Sequence, residues 1–183
     1  MASPSKEENV LKLILENSPL KEWHFEETVR EANITKAVAN KWLKKYVKEG
    51  LLKKIKEKGK FPYFTVGNNN PTYYSWKRLY ALEQLHKSGL LSRLLSLKGA
   101  KTVIIFGSII MGDWYKDSDI DIFILGNADN FDKNAYESRL GRNIELHVFG
   151  DKKEIKEVKT GLFKNVINGY IVKGQIQDIA EVA

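Results

Sequence analysis

Cysteine is absent from the 183 residues, which excludes a disulfide framework, a thiol nucleophile and any zinc site built on cysteine. Chemistry must rest on carboxylates, hydroxyls, amines or a bound metal. Histidine is scarce: His24, His86 and His147 form neither an HxH nor an HExxH spacing, which argues against a zinc hydrolase. No stretch reaches the roughly 18 consecutive apolar residues of a membrane span. Met1–Val10 carries Pro4, Glu7 and Glu8 where a secretory leader would carry an apolar core. These absences predict an intracellular, cytoplasmic chain with no membrane partner. No internal repeat or low-complexity tract is visible.

What is present can build a core and keep it soluble: 43% of residues are hydrophobic and 29% charged. The length allows one large domain or two small ones. The formal net charge is +7, and its location is informative. Lys36 to Lys60 holds ten lysines against Glu49 and Glu57, a net +8, so the rest of the chain carries −1. A basic block this local predicts a polyanion-binding surface.

The first third reads as three helices and a hairpin. Val10, Leu11, Ile14 and Leu15 recur at helical spacing and stop before Pro19, and Phe25, Val29 and Ala32 make a second stripe. Thr35 is the expected N-cap of a third helix, ended by Gly50. Its apolar face is Val38, Ala39, Trp42, Leu43, Tyr46 and Val47; Lys36, Asn40, Lys41, Lys44, Lys45 and Lys48 take the other. Leu51–Glu57 and Phe61–Val66 read as strands joined through Lys58 and Gly59, with Lys60 beside the turn. The run from Lys41 to Lys54, followed by Gly59 to Val66, resembles the winged helix-turn-helix fold of many prokaryotic transcription regulators over about residues 5 to 67. The resemblance implies duplex DNA as a partner, held by Lys36, Asn40, Lys41, Lys44, Lys45, Lys48, Lys58 and Lys60.

Gly67, three asparagines and Pro71 read as a polar linker. A helix is expected from Tyr73 to about Ser88, with Gly89 as its stop, and another turn or two through Leu90–Leu97. The stripe Tyr73, Trp76 and Tyr80 is expected to be core or a subunit interface, and the surplus of large apolar side chains predicts a homodimer. From Lys101 onward, Thr102–Phe106, Ile120–Leu125 and Ile144–Phe149 are β-branched apolar runs separated by segments long enough for helices, an α/β pattern.

The chemistry concentrates there. Asp119 and Asp121 project from one face of the second strand while Ile120, Ile122 and Ile124 face the core. Two like charges so placed are tolerated when a divalent cation sits between them, and oxygen ligation suits Mg²⁺ completed by substrate phosphates. Gly107 at a strand end lets backbone approach a ligand, and Ser108 adds a hydroxyl donor. Glu145, between Ile144 and Leu146, supplies a third carboxylate; His147 shares its face and is read as structural.

Gly107-Ser108, ten residues, Asp119-x-Asp121 and a later strand acid resemble the DNA polymerase β-like nucleotidyltransferase superfamily, and within it the minimal nucleotidyltransferases of archaea and bacteria. The likeness runs from about Thr102 to Gly174. It implies a palm with a mixed sheet and two Mg²⁺ ions held by Asp119, Asp121 and Glu145 as catalytic residues. It also implies transfer of a nucleoside monophosphate from a nucleoside triphosphate, ATP first, to an acceptor hydroxyl, with Gly107 and Ser108 binding the nucleotide. Some such proteins act as antitoxins by adenylylating a HEPN-type partner, which makes a protein of that type an implied partner. No sizeable domain follows Gly174 in the sequence, so the acceptor is expected on the first half, a second subunit or a partner. Ile109 and Met111 stand where many minimal members carry arginines. This keeps open the alternative of a DNA-binding transcriptional regulator with a non-catalytic palm. The expected organisation is α/β (α+β): a winged helix-turn-helix domain at residues 1–67, a helical linker at 68–100 and a nucleotidyltransferase domain at 101–183.

Overall fold

The computed structural model describes residues 5–156 and 160–179. The chain divides into two compact units, residues 1–76 and 77–183.

In the first unit the elements run α1 (Lys6–Leu15), β1 (Trp23–His24), α2 (Phe25–Glu31), α3 (Lys36–Lys48), β2 (Lys53–Ile55) and β3 (Tyr63–Thr65). A reciprocal cap starts α1: the Glu8 amide donates to Ser5 Oγ at 3.1 Å and the Ser5 amide to Glu8 at 3.2 Å. Thr35 caps α3 as expected, accepting from the Val38 amide at 3.4 Å. Ala39, Leu43 and Tyr46, at helical spacing, are buried. The three strands pair antiparallel in the order β1-β3-β2. Trp23–His24 is too short for a period-two pattern to register, so β1 was not foreseen. The hairpin ladder is also shorter than the two apolar runs, because Leu51, Leu52 and Val66 lie beyond its ends and are buried in the core instead.

The division between the units falls inside α4 (Pro71–Lys87). This helix starts two residues before the expected Tyr73. Asn70 Oδ1 accepts from the amides of Thr72 at 3.0 Å and Tyr73 at 3.3 Å, and proline is well suited to a first helical position.

The second unit continues with α5 (Leu90–Leu95), β4 (Ala100–Phe106), α6 (Ser108–Met111), β5 (Ile120–Gly126), α7 (Lys133–Leu140), β6 (Ile144–Phe149), α8 (Lys152–Lys156), α9 (Thr160–Ile167) and β7 (Tyr170–Lys173), then a 3₁₀ turn at Ile176–Asp178. All three expected strands form. The sheet order is β6-β5-β4-β7, with β5 and β6 parallel and the other pairs antiparallel. The sheet is mixed, as expected.

Ile120, Ile122 and Ile124 are buried on one face of β5, in line with the alternation, but Phe123 and Leu125 on the opposite face are buried too. That second face is covered: Ile104, Phe106, Phe123 and Leu125 form a core with Ile155 of α8, Val166 of α9 and Ile179. Each such side chain contributes roughly 1.5–3 kcal/mol. Only the stretch of this face around Asp121 and Glu145 stays polar.

Candidate active site

The register of the sheet sets the geometry. Asp121 lies opposite Phe106 on β4 and opposite Glu145 on β6. In the parallel β5–β6 pair Phe123 is opposite His147, so His147 follows Glu145 on the same face. One ligand atom from each of Asp121, Glu145 and His147 lies within 4.8 Å of the other two. His147 Nε2 is 3.8 Å from Asp121 Oδ1 and 3.7 Å from Glu145 Oε1. Asp121 and His147 are largely covered, whereas Glu145 is exposed. The Phe106 ring, 5.3 Å from the imidazole between centroids, walls one side.

Asp119 stands just ahead of β5 and is exposed, outside this group of three. It is near enough to act on Asp121, whose pKa is raised first by burial, then by Glu145, with Asp119 adding to the rise and His147 opposing it. A half-buried carboxylate held among other acids is a group short of positive charge.

Gly107 closes the site from the β4 side. Its φ of +78° and ψ of −158° fall in a region essentially reserved for glycine. A Cβ at this position would overlap the Asp121 carboxylate. The cradle explains why a glycine ends the strand. Ser108 opens α6, a single turn ended by Gly112 in the left-handed conformation, and is partly buried. Ile109 is buried in the core and Met111 is exposed.

Residues that sequence reasoning passed over hold these pieces in place. Lys77 is 1% exposed and donates from Nζ to the Trp114 carbonyl. The indole nitrogen of Trp114 donates back to the Lys77 carbonyl at 3.2 Å. The Lys77 ammonium also stands over the rings of Trp114 at 4.8 Å and Tyr115 at 4.5 Å. Arg142 donates to the carbonyls of Tyr115 at 2.6 Å and Ser118 at 3.0 Å. Together they pin the loop that delivers Asp119. Glu137 accepts from the Ile144 amide at 2.8 Å, which fixes the start of β6 one residue before Glu145 and lowers the Glu137 pKa. No local motif marks these residues; Lys77 and Arg142 act through contacts distant in sequence.

The donor set fits a divalent cation: two carboxylates and an imidazole converge beside a backbone position too close for a Cβ.

In the first unit, Lys36, Asn40, Lys41, Lys44 and Lys48 lie on the exposed face of α3. Asn40 and Lys44 flank a shallow cleft completed by Lys54 of β2. Lys45 is drawn aside, ion-paired with Glu7 at 2.8 Å and Glu49 at 3.8 Å. Lys36 pairs with Glu26 at 2.7 Å and Lys60 with Glu57 at 2.6 Å. Among the described residues no carboxylate lies within 4.0 Å of Lys41, Lys44, Lys48 or Lys58. The expected aromatic stripe is largely core: Tyr73 is 1% and Tyr80 7% exposed, while Leu79 and Leu95 remain exposed.

No helix among the described residues is long and apolar enough to cross a membrane. No curated protein sequence matches the chain. Among solved structures, the crystal structure of a toxin-antitoxin with AMP-PNP is similar at 25% identity over 52% of this chain and 75% of that one, with a TM-score of 0.35. Residues 87–177, the span that carries Gly107, Ser108, Asp119, Asp121, Glu145 and His147, match the family model of the nucleotidyltransferase domain.

Proposed function

We propose that the second unit transfers a nucleoside monophosphate, from ATP first, to an acceptor hydroxyl. The observation that carries this reading is the convergence of Asp121, Glu145 and His147 beside the Gly107 cradle, inside a span matching nucleotidyltransferase domains. In the reaction an acceptor oxygen bonds to the α-phosphorus, the bond from that phosphorus to the β-phosphate oxygen breaks, and pyrophosphate leaves with the electron pair. The hydroxyl proton passes to water. Mg²⁺, two ions by the family resemblance, supplies charge neutralisation on the phosphates and a lowered pKa for the acceptor hydroxyl. Asp119 and Asp121 would hold both ions and Glu145 one, with Gly107 and Ser108 against the phosphates. The acceptor proposed is a partner protein of HEPN type, and the cytoplasm, rich in ATP and Mg²⁺, is the compartment that suits it. Incubating the purified protein with labelled ATP and Mg²⁺, with and without the product of the adjacent gene, tests the reading. Label should move to that partner; no transfer and no Mg²⁺-dependent nucleotide binding by calorimetry would end it.

A second reading is favoured by the basic face of α3 and by Ile109 and Met111 in place of cations: a DNA-binding regulator whose palm does not catalyse. In support of a winged helix, the first unit has three helices, a three-stranded antiparallel sheet and lysines clustered on α3 and the hairpin. Lysine neutralises phosphate as a point charge, so duplex binding should be steeply salt dependent. Among the described residues Lys41 and Lys44 are not engaged by carboxylates, unlike Lys45. Replacing both by alanine should lower the slope of log K against log salt by about 2. An unchanged slope would remove these two from the interface.

A symmetric half-site is read by a pair of such modules, so we also propose a homodimer. Most of the apolar surplus in α4 and α5 is consumed by the chain's own core, leaving Leu79 and Leu95 for a partner copy. Sedimentation at tens of micromolar should give twice 21.0 kDa; a monomer there would refute it.

A further inference from the structure

The group facing Asp121 is not all oxygen. His147 Nε2 stands 3.8 Å from one carboxylate oxygen and 3.7 Å from the other. Neither separation is a hydrogen bond, which for nitrogen and oxygen spans roughly 2.7–3.2 Å. They are instead of the size found between ligands of one ion, falling between the cis and trans spacings of an octahedral site, so that a bound ion would draw the three groups slightly closer. At metal–ligand bonds of about 2.1 Å, neighbouring ligands lie roughly 3 Å apart and opposite ones roughly 4 Å. The imidazole side chain is 20% exposed and its ring lies against Phe106, so it is held near this position by packing as well as by the sheet.

Mg²⁺ prefers oxygen ligands and dehydrates reluctantly; Mn²⁺ shares the preference for carboxylates but, as a first-row transition ion, accepts one imidazole beside two carboxylates more readily than Mg²⁺ does. Resting on the metal reading given above, we infer that His147 ligates, through Nε2, the ion held by Asp121 and Glu145, and that this position takes Mn²⁺ in preference to Mg²⁺. Mg²⁺ is left for the ion that arrives with the triphosphate, where Asp119, exposed and outside the group of three, is placed to help Asp121.

The test is pulsed electron paramagnetic resonance of the full chain with MnCl₂ and inorganic pyrophosphate, a nitrogen-free stand-in for the triphosphate. Wild type should show the ¹⁴N modulation of a coordinated imidazole, lost in Asp121→Asn and in His147→Gln. By calorimetry, His147→Gln should reduce the preference for Mn²⁺ over Mg²⁺ by about tenfold or more. Thermal melts report whether the variants fold, and the wild-type spectrum decides the matter if His147→Gln does not. Mn²⁺ bound in an Asp121-dependent way without nitrogen modulation would overturn the role of His147 and leave the metal site standing. Absence of Mn²⁺ binding, or binding indifferent to Asp121→Asn, would overturn both.

Discussion

Asp121→Asn is expected to reduce nucleotide transfer by roughly 10²- to 10³-fold while raising the melting temperature of the metal-free protein. The loss follows from the several kcal/mol of charge stabilisation assigned to a metal-held phosphate, at about 1.4 kcal/mol per tenfold. The gain follows from the environment of the carboxylate. Burial, then Glu145 and Asp119, raise the Asp121 pKa above its usual 3.8, against the pull of His147. The folded protein therefore holds this proton more tightly than the unfolded chain does. The contribution of Asp121 to stability is full below about pH 3.8 and is lost as pH rises through the higher folded value. Near pH 7 the ionised group is a burden that asparagine does not carry. Melts with and without EDTA check this: divalent cation should raise the melting temperature of wild type and leave the variant nearly unmoved. A variant that transfers nucleotide at the wild-type rate would take Asp121 out of the site. Glu145→Gln should cost less, since Glu145 is the exposed member.

Lys77→Ala is expected to destabilise the second unit by roughly 2–4 kcal/mol and to lower transfer as well. It deletes a buried aliphatic stem and strips the donor from the Trp114 carbonyl, so the loop leading to Asp119 loses its anchor. Lys77→Met, which restores volume but not the donor, should recover part of the stability. The two substitutions share a pH signature. Burial pushes the Lys77 pKa down to about 8, with Asp113 opposing and Arg142 assisting. The folded state thus binds fewer protons than the unfolded chain between about pH 8 and 10.5. Across that window stability gains up to about 1.4 kcal/mol per pH unit from this group, a slope both variants should lack. Urea titrations from pH 7 to 10 would expose it. A Lys77→Ala protein as stable as wild type, with the same slope, would show that the lysine anchors nothing.

Much of this arrangement was legible in local pattern. The runs at 102–106 and 120–125 became strands because apolar residues filled both covered faces, the run at 144–149 joined them at the sheet edge, and Thr35 capped its helix where spacing placed it. Gly107 was expected to let backbone approach a ligand; the group that occupies the space a Cβ would need is the Asp121 carboxylate, a contact that only the β4–β5 register reveals. What stayed hidden depends on pairings remote in sequence. His147 looked like an ordinary strand histidine until the β5–β6 register set it beside Asp121, 26 positions away. Lys77 looked like one solvated lysine among many, since nothing in α4 announces that Trp114 will cover it. Lys45 matched its neighbours in charge, and the ion pair that draws it aside is with Glu7 of α1, 38 positions away.

The parallel pairing of β5 and β6 also decides where this chain can change length. Asp121, Glu145 and His147 meet because Ile120 is level with Ile144 and side chains alternate with a strict period of two. Extra residues placed between Gly126 and Asp132, ahead of α7, would leave that alignment and the Glu137 anchor at Ile144 untouched. One residue added between Glu145 and His147 would turn the imidazole to the opposite face of the sheet. Natural and engineered insertions should therefore accumulate in the first segment and be excluded from the second.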